Sequence, residues 1–189
     1  MFGMAGATRA LAAVLFLNGY FEFFNLAGAF LSSPWTMQSF GGDPERIYIT
    51  SQSSGAHLSG NIVTTNWKDY GVPDNVVKGA LLCSGMYDLK PARLSKRSEY
   101  VKFTDAMEDA LSTQRHLGRI NCPVTVLHGT LETPEFQRQS RDFAAAVKAA
   151  GKPVSLHVGQ GYNHFEMTEM IGNPMSLLGS AVLEQMKLK

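Results

Sequence analysis

Ile47-Tyr48-Ile49-Thr50-Ser51-Gln52-Ser53-Ser54-Gly55-Ala56-His57 is the stretch on which the fold turns. Its first four residues are β-branched or aromatic, the composition of a short strand. Small residues follow, and residues 57–65 then place Leu58, Ile62 and Val63 along one side of a helix. A strand that runs straight into a helix leaves little room between the two backbones, so the turn must be built from small side chains. The pattern matches a G-x-S-x-G turn, in which the central serine is lifted above the carboxyl edge of a sheet. Gly55 is present, and Ser51 stands where the first glycine is usual. Ser53 is therefore the candidate nucleophile, and the backbone N–H of Ser54 the candidate oxyanion donor. The plainer alternative is a Ser/Gly turn that caps a helix.

The same punctuation continues along the chain. Residues 76–83, 123–127 and 154–158 are short apolar runs that read as buried strands. Between them lie an irregular excursion over 84–104, a helix near 105–111, and a helix from Thr133-Pro134-Glu135 to about Ala150. Thr suits the N-cap, Pro the first helical position and Glu the first turn, while Gly151 suits the position just past the end. A last helix covers about 176–187. Asp43-Pro44 reads as a turn before the first of these strands. Strands alternating with helices imply right-handed crossovers and a mostly parallel sheet with helices on both faces. Nearly continuous apolar strands fit a sheet covered on both sides.

A serine hydroxyl is a weak nucleophile at neutral pH. It needs an adjacent base, which in turn needs a carboxylate to fix its tautomer. In the fold that carries a G-x-S-x-G turn of this kind, these partners follow in the order Ser, Asp or Glu, His, each in a loop after a later strand. After 124–127 comes His128-Gly129-Thr130-Leu131-Glu132-Thr133-Pro134-Glu135. Glu132 is the candidate acid. Glu135 competes, although the first-turn dipole already accounts for it. After 154–158 comes Gly159-Gln160-Gly161-Tyr162-Asn163-His164, which makes His164 the candidate base. His128, at the end of its strand, is a candidate pocket residue. So are Tyr87, Tyr162 and the region of Met86, where core packing is the competing reading.

Composition narrows the partners. The 189 residues carry 17 Lys+Arg against 16 Asp+Glu, a formal net charge of +1, with 44% hydrophobic residues. That balance offers no electrostatic footprint for nucleic acid or an anionic membrane. A small neutral substrate is the expectation, with homodimerisation left open. Cys83 and Cys122 form no C-x-x-C pair, and His and Cys do not cluster at zinc spacing. Reduced thiols and a cytoplasmic location are the default. The apolar run over 10–17, behind a lone Arg9, reads either as a weak signal peptide within residues 1–29, hence an exported protein, or as a helix packed on the core. As a membrane span it is too short. Residues 1–38 therefore stand as an atypical apolar segment ahead of a single domain over 39–189.

Several segments resemble one family. Gly41-Gly42-Asp43-Pro44-Glu45-Arg46-Ile47-Tyr48 leading into Gln52-Ser53-Ser54-Gly55-Ala56-His57-Leu58 resembles the bacterial arylformamidase (kynurenine formamidase) and esterase group of the α/β-hydrolases. Cys83-Ser84-Gly85-Met86-Tyr87-Asp88-Leu89, Glu132-Thr133-Pro134-Glu135-Phe136-Gln137-Arg138-Gln139-Ser140 and Asn163-His164-Phe165-Glu166 are similar to it as well. The likeness runs from about residue 39 to the end. It implies a Ser53–His164–Glu132 triad, hydrolysis of small carboxylic esters or N-formyl arylamines, and no metal or organic cofactor. Members usually carry His-Gly-Gly well before the nucleophile to complete the oxyanion hole, whereas the first histidine here is His57. The expectation is thus an α/β-hydrolase with amino-terminal strands missing or replaced. Its alternative is a hydrolase-like protein with weak or no catalysis.

Overall fold

The computed structural model describes residues 11–18 and 42–189. Among the described residues the strands are β1 (Leu11–Asn18), β2 (Gly42–Gln52), β3 (Val77–Cys83), β4 (Val124–Gly129) and β5 (Val154–Gly159). They form one sheet in the order β1-β2-β3-β4-β5, and every neighbouring pair is parallel. Consecutive parallel strands cannot be joined by hairpins, so the connections from β2 to β3, β3 to β4 and β4 to β5 pass over a face of the sheet. The helices are α1 (Ser54–Val63), α2 (Lys90–Arg93), α3 (Asp105–Leu111), α4 (Pro134–Ala149), α5 (Glu166–Glu169) and α6 (Leu177–Gln185).

The apolar runs resolve into two faces because side chains alternate along a strand. Ala80 and Leu82 of β3, with Val124 and Val126 of β4, join the core under Ala56, Ile62 and Val63 of α1 and Phe143, Ala144 and Val147 of α4. Leu81, Cys83 and Leu127 point the other way, against Met167, Met170, Leu178 and Ala181. Helices thus cover both faces of the central strands. At about 25 cal/mol per Å² of apolar surface, this double burial is what makes the strands read as unbroken hydrophobic runs. Among the described residues β5 lies at the sheet edge, where Leu156 and Val158 remain 39% and 37% exposed.

Two sequence expectations change here. Residues 11–18 form a strand beside β2 and not a helix. A short apolar run fits a buried strand and a buried helix equally well by periodicity. The sheet position expected to be missing or replaced is thus taken, next to β2, by Leu11–Asn18; the proposed signal segment otherwise falls outside the described residues. Asp43-Pro44, read as a turn, belongs to β2, whose register with β1 shifts between Leu11 and Ala13. Thr133 does occupy the N-cap of α4, but its hydroxyl makes no capping bond. Among the described residues no helix is long and apolar enough to cross a membrane.

Candidate active site

Parallel strands put all their carboxyl ends along one rim, and each candidate residue leaves from that rim. The ladder extends one residue past the strands: Ser53 N–H donates to Cys83 O at 2.9 Å, Ser84 N–H to Leu127 O at 2.8 Å and Thr130 N–H to Gly159 O at 2.9 Å. Each loop therefore begins at a fixed height above its neighbour. Ser53 has φ 60° and ψ −124°, a conformation that L-residues rarely adopt. It is held because β2 must turn directly into α1. Ser51, in the place of the usual glycine, is buried and donates its hydroxyl to Leu81 O at 3.1 Å.

The loops after β4 and β5 brace one another. Leu131 N–H donates to Tyr162 O at 3.0 Å, and Gly161 N–H to Thr130 Oγ1 at 2.9 Å. His164 is fixed from several sides. Its carbonyl accepts Gln52 Nε2 at 2.9 Å, and its ring stacks on Phe136 with centroids 4.5 Å apart. Phe165 meets the same ring edge-on at 5.6 Å. Just before it, Asn163 Oδ1 accepts the N–H groups of Phe165 and Glu166 at 3.0 and 3.1 Å, shaping the turn.

These constraints bring three side chains together. His164 Nε2 lies 2.9 Å from Ser53 Oγ, and His164 Nδ1 lies 3.1 Å from Glu132 Oε1. A carboxylate only accepts, so Nδ1 carries the ring proton and Nε2 is left to accept from the serine hydroxyl. Glu132 is 6% exposed, and its Oε1 also accepts Ser84 Oγ–H at 2.6 Å. Gln137 Nε2 donates to the Glu132 carbonyl at 2.9 Å, holding the loop. The competitor Glu135 is engaged elsewhere: it pairs with Arg138 at 2.7 Å, and that guanidinium holds its carboxyl below the ordinary carboxylate value. Ser54 is the first residue of α1, so its N–H points from the helix start beside Ser53.

The candidate pocket residues fare differently. Tyr87 is fully buried, stacked on Phe143 at 4.0 Å with its hydroxyl donating to Leu82 O at 3.3 Å. The structure places it in the core, the competing reading given for it. His128 is also buried, with Nδ1 3.4 Å from Gly129 O and Nε2 without a hydrogen-bond partner among the described residues. It is packed inside and shows almost no surface. Tyr162 is 37% exposed, on the loop that leads to His164. Met86 does line a cavity of about 160 Å³, together with Pro91, Ala92, Arg97, Phe136 and Gln139. Through Phe136 this cavity adjoins His164. A larger cavity of about 580 Å³, lined by Asn61, Thr64 and Asp74 among others, lies at the far end of α1 and touches none of the three clustered residues.

Sequence reasoning missed Ser84 and Phe136. A serine after a strand carries no distinctive signal, and Phe136 in the first turn of a helix reads as ordinary packing. Among the described residues no group of three or more His, Cys, Asp or Glu could hold a metal ion.

No protein-family model matches the chain. A kynurenine formamidase from Danio rerio is 32% identical over 143 residues, covering 73% of this chain and 48% of that protein. A kynurenine formamidase from Salmo salar is 33% identical over 131 residues, covering 66% of this chain and 44% of that protein. The chain thus spans about half the length of the curated relatives it matches. Among solved structures, an acetyl ester-xyloside bifunctional hydrolase from Caldicellulosiruptor lactoaceticus superposes with a TM-score of 0.64 at 18% identity, covering 86% of this chain and 64% of that one.

Proposed function

Starting from the arylformamidase- and esterase-like group of the α/β-hydrolases, to which this chain belongs, we propose that it is a serine hydrolase that cleaves small carboxylic esters or aryl formamides. The observation that carries the reading is one imidazole held between a hydroxyl at 2.9 Å and a buried carboxylate at 3.1 Å. The pairs are within the reach required for proton transfer.

The proposed reaction runs in two halves. Ser53 Oγ attacks the carbonyl carbon while its proton passes to His164 Nε2. The carboxylate of Glu132 stabilises the resulting imidazolium through Nδ1–H. The carbonyl oxygen becomes an oxyanion, towards which the Ser54 N–H and the start of α1 contribute positive potential. Collapse breaks the bond to the leaving nitrogen or oxygen, which takes the proton from Nε2. Water then repeats the attack on the acyl-Ser53 ester, releasing formate or a carboxylate and restoring the hydroxyl. The cavity beside Phe136 is the candidate site for the organic part of the substrate, with Met86, Pro91 and Ala92 as apolar walls.

The test compares N-formylkynurenine with short p-nitrophenyl esters and includes Ser53→Ala. Turnover and labelling by a fluorophosphonate probe are expected to vanish in that variant. Undiminished turnover would exclude Ser53. Labelling of Ser53 with no turnover of either substrate class would favour the weakly catalytic alternative.

A further inference from the structure

Ser84 stands at the carboxyl end of β3, one strand away from each of its neighbours at the rim. It is fully buried, and its φ is 54°, in the left-handed region that a serine seldom occupies. Its N–H is tied to Leu127 O at 2.8 Å. That bond and the unusual backbone turn aim the side chain across β4 at the loop beyond it, where Oγ–H donates to Glu132 Oε1 at 2.6 Å. A strained residue in a buried position, held so that one hydroxyl meets one carboxylate, is the kind of feature that functional sites retain.

The carboxylate itself explains why that contact matters. Glu132 Oε2 has no hydrogen-bond partner among the described residues. Both bonds to the group, from Ser84 and from His164, converge on Oε1. Gln137 reaches the backbone carbonyl of Glu132 and not its carboxylate. Without Ser84 the side chain would be steered by the imidazole alone, and the imidazole is the ring it must orient. A second donor that does not take part in proton transfer breaks this circularity. It also offsets part of the cost of burying the charge. Behind Ser84, Cys83 Sγ lies 3.4 Å from Ser84 Oγ, and burial pushes that thiol up to about 12, so it stays protonated. The hydroxyl thus has a neighbour that can donate to it while its own hydrogen goes to Glu132.

We propose that Ser84 is a positioning residue of the hydrolytic site: its hydroxyl orients the Glu132 carboxylate, and through it the His164 ring, without touching substrate. The proposal rests on the serine hydrolase reading above. It adds a fourth strand end to a site otherwise built from three.

The experiment measures Ser53 phosphonylation by a fluorophosphonate, together with kcat and KM for p-nitrophenyl acetate, in the full chain. Ser84→Ala removes the hydroxyl. Ser84→Gly removes it while relieving the backbone at φ 54°, so a folded variant without the donor is secured. Ser84→Ala should lower the thermal midpoint, because the donor is lost while the backbone stays at φ 54°, whereas Ser84→Gly should stay nearer the parent chain. Both should keep KM and lower kcat and the labelling rate by about 10–100-fold, the size expected for one hydrogen bond to a charged group. In a Glu132→Gln background Ser84→Gly should cause no further loss, because a residue acting through another has nothing left to act on. Parental kcat and labelling in Ser84→Gly would overturn the proposal. So would a full, additive loss in the Glu132→Gln background. If labelling and turnover survive in Ser53→Ala, the hydrolase reading falls first and this role falls with it. Loss in Ser53→Ala beside full activity in Ser84→Gly removes Ser84 alone.

Discussion

A β-carbon on Gly129 would lie 2.2 Å from the carbonyl oxygen of Tyr162. The obstacle is main chain, which no rotamer change can move aside. The absence of a side chain at Gly129 lets the loop bearing His164 close down on the loop bearing Glu132. Gly129→Ala should therefore separate the two loops. A misplacement of about 1 Å at a reacting group costs about 10² in rate, so kcat should fall by that order while the melting temperature falls only modestly. Comparing kcat with the thermal midpoint in this one variant checks it; parental kcat would refute the assigned contact.

Two glutamates compete for one role in the sequence, and their chemistry separates them. Glu132→Gln should lower kcat by as much as about 10⁴, the cost of turning a triad carboxylate into an amide. Glu135→Gln breaks an exposed pair with Arg138, worth about 0–1 kcal/mol at most. Its kcat should stay close to the parent value. Steady-state kinetics on the two purified variants decides between them, and a reversed ranking would reassign the acid.

Tyr87 is predicted to matter for folding and not for substrate. Removing its buried ring in Tyr87→Ala should cost about 3–5 kcal/mol, as for other large buried aromatics. Tyr87→Phe keeps the stack on Phe143 and loses only the bond to Leu82 O, so it should cost about 1 kcal/mol. Urea denaturation measures both. A rise in KM without loss of stability in Tyr87→Phe would restore the pocket role.

His57 should make the fold sensitive to mild acid. Burial pushes its imidazole below the ordinary value of 6.5, and the bond to Leu111 O offsets that only in part. Above pH 6.5 both folded and unfolded chains carry a neutral ring, so nothing is lost. As pH falls below 6.5 the unfolded chain takes up the proton first, and stability declines until the folded ring also protonates. The slope from this one group is at most about 1.4 kcal/mol per pH unit. His57→Gln should flatten the fall in denaturation midpoint between pH 7 and pH 5. An unchanged slope would show that another group governs it.

The central strands were legible because residues 76–83 and 123–127 are covered on both faces and so lack polar interruptions. The meeting of Ser53, Glu132 and His164 was foreshadowed by their order in the chain, each in a loop just after its own strand, the order that goes with a G-x-S-x-G turn. Other features needed coordinates. Leu11–Asn18 is as apolar as a helix core, and only its pairing partner tells the two apart. Tyr87 follows a strand end, as a pocket residue would, yet the chain folds back and stacks it on Phe143. Ser84 depends on a left-handed backbone angle, and no residue type encodes that in serine.

The placement of β5 has a mechanical consequence. The Ser53 hydroxyl leaves from an interior strand, whereas the His164 imidazole hangs from the outermost ribbon, paired on one side only among the described residues. Fraying of that ribbon alone would leave the ring seated, because the His164 carbonyl is tied to Gln52 and the ring face rests on Phe136. The outermost strand can therefore breathe without unseating the imidazole, which its own loop moors to the interior of the molecule.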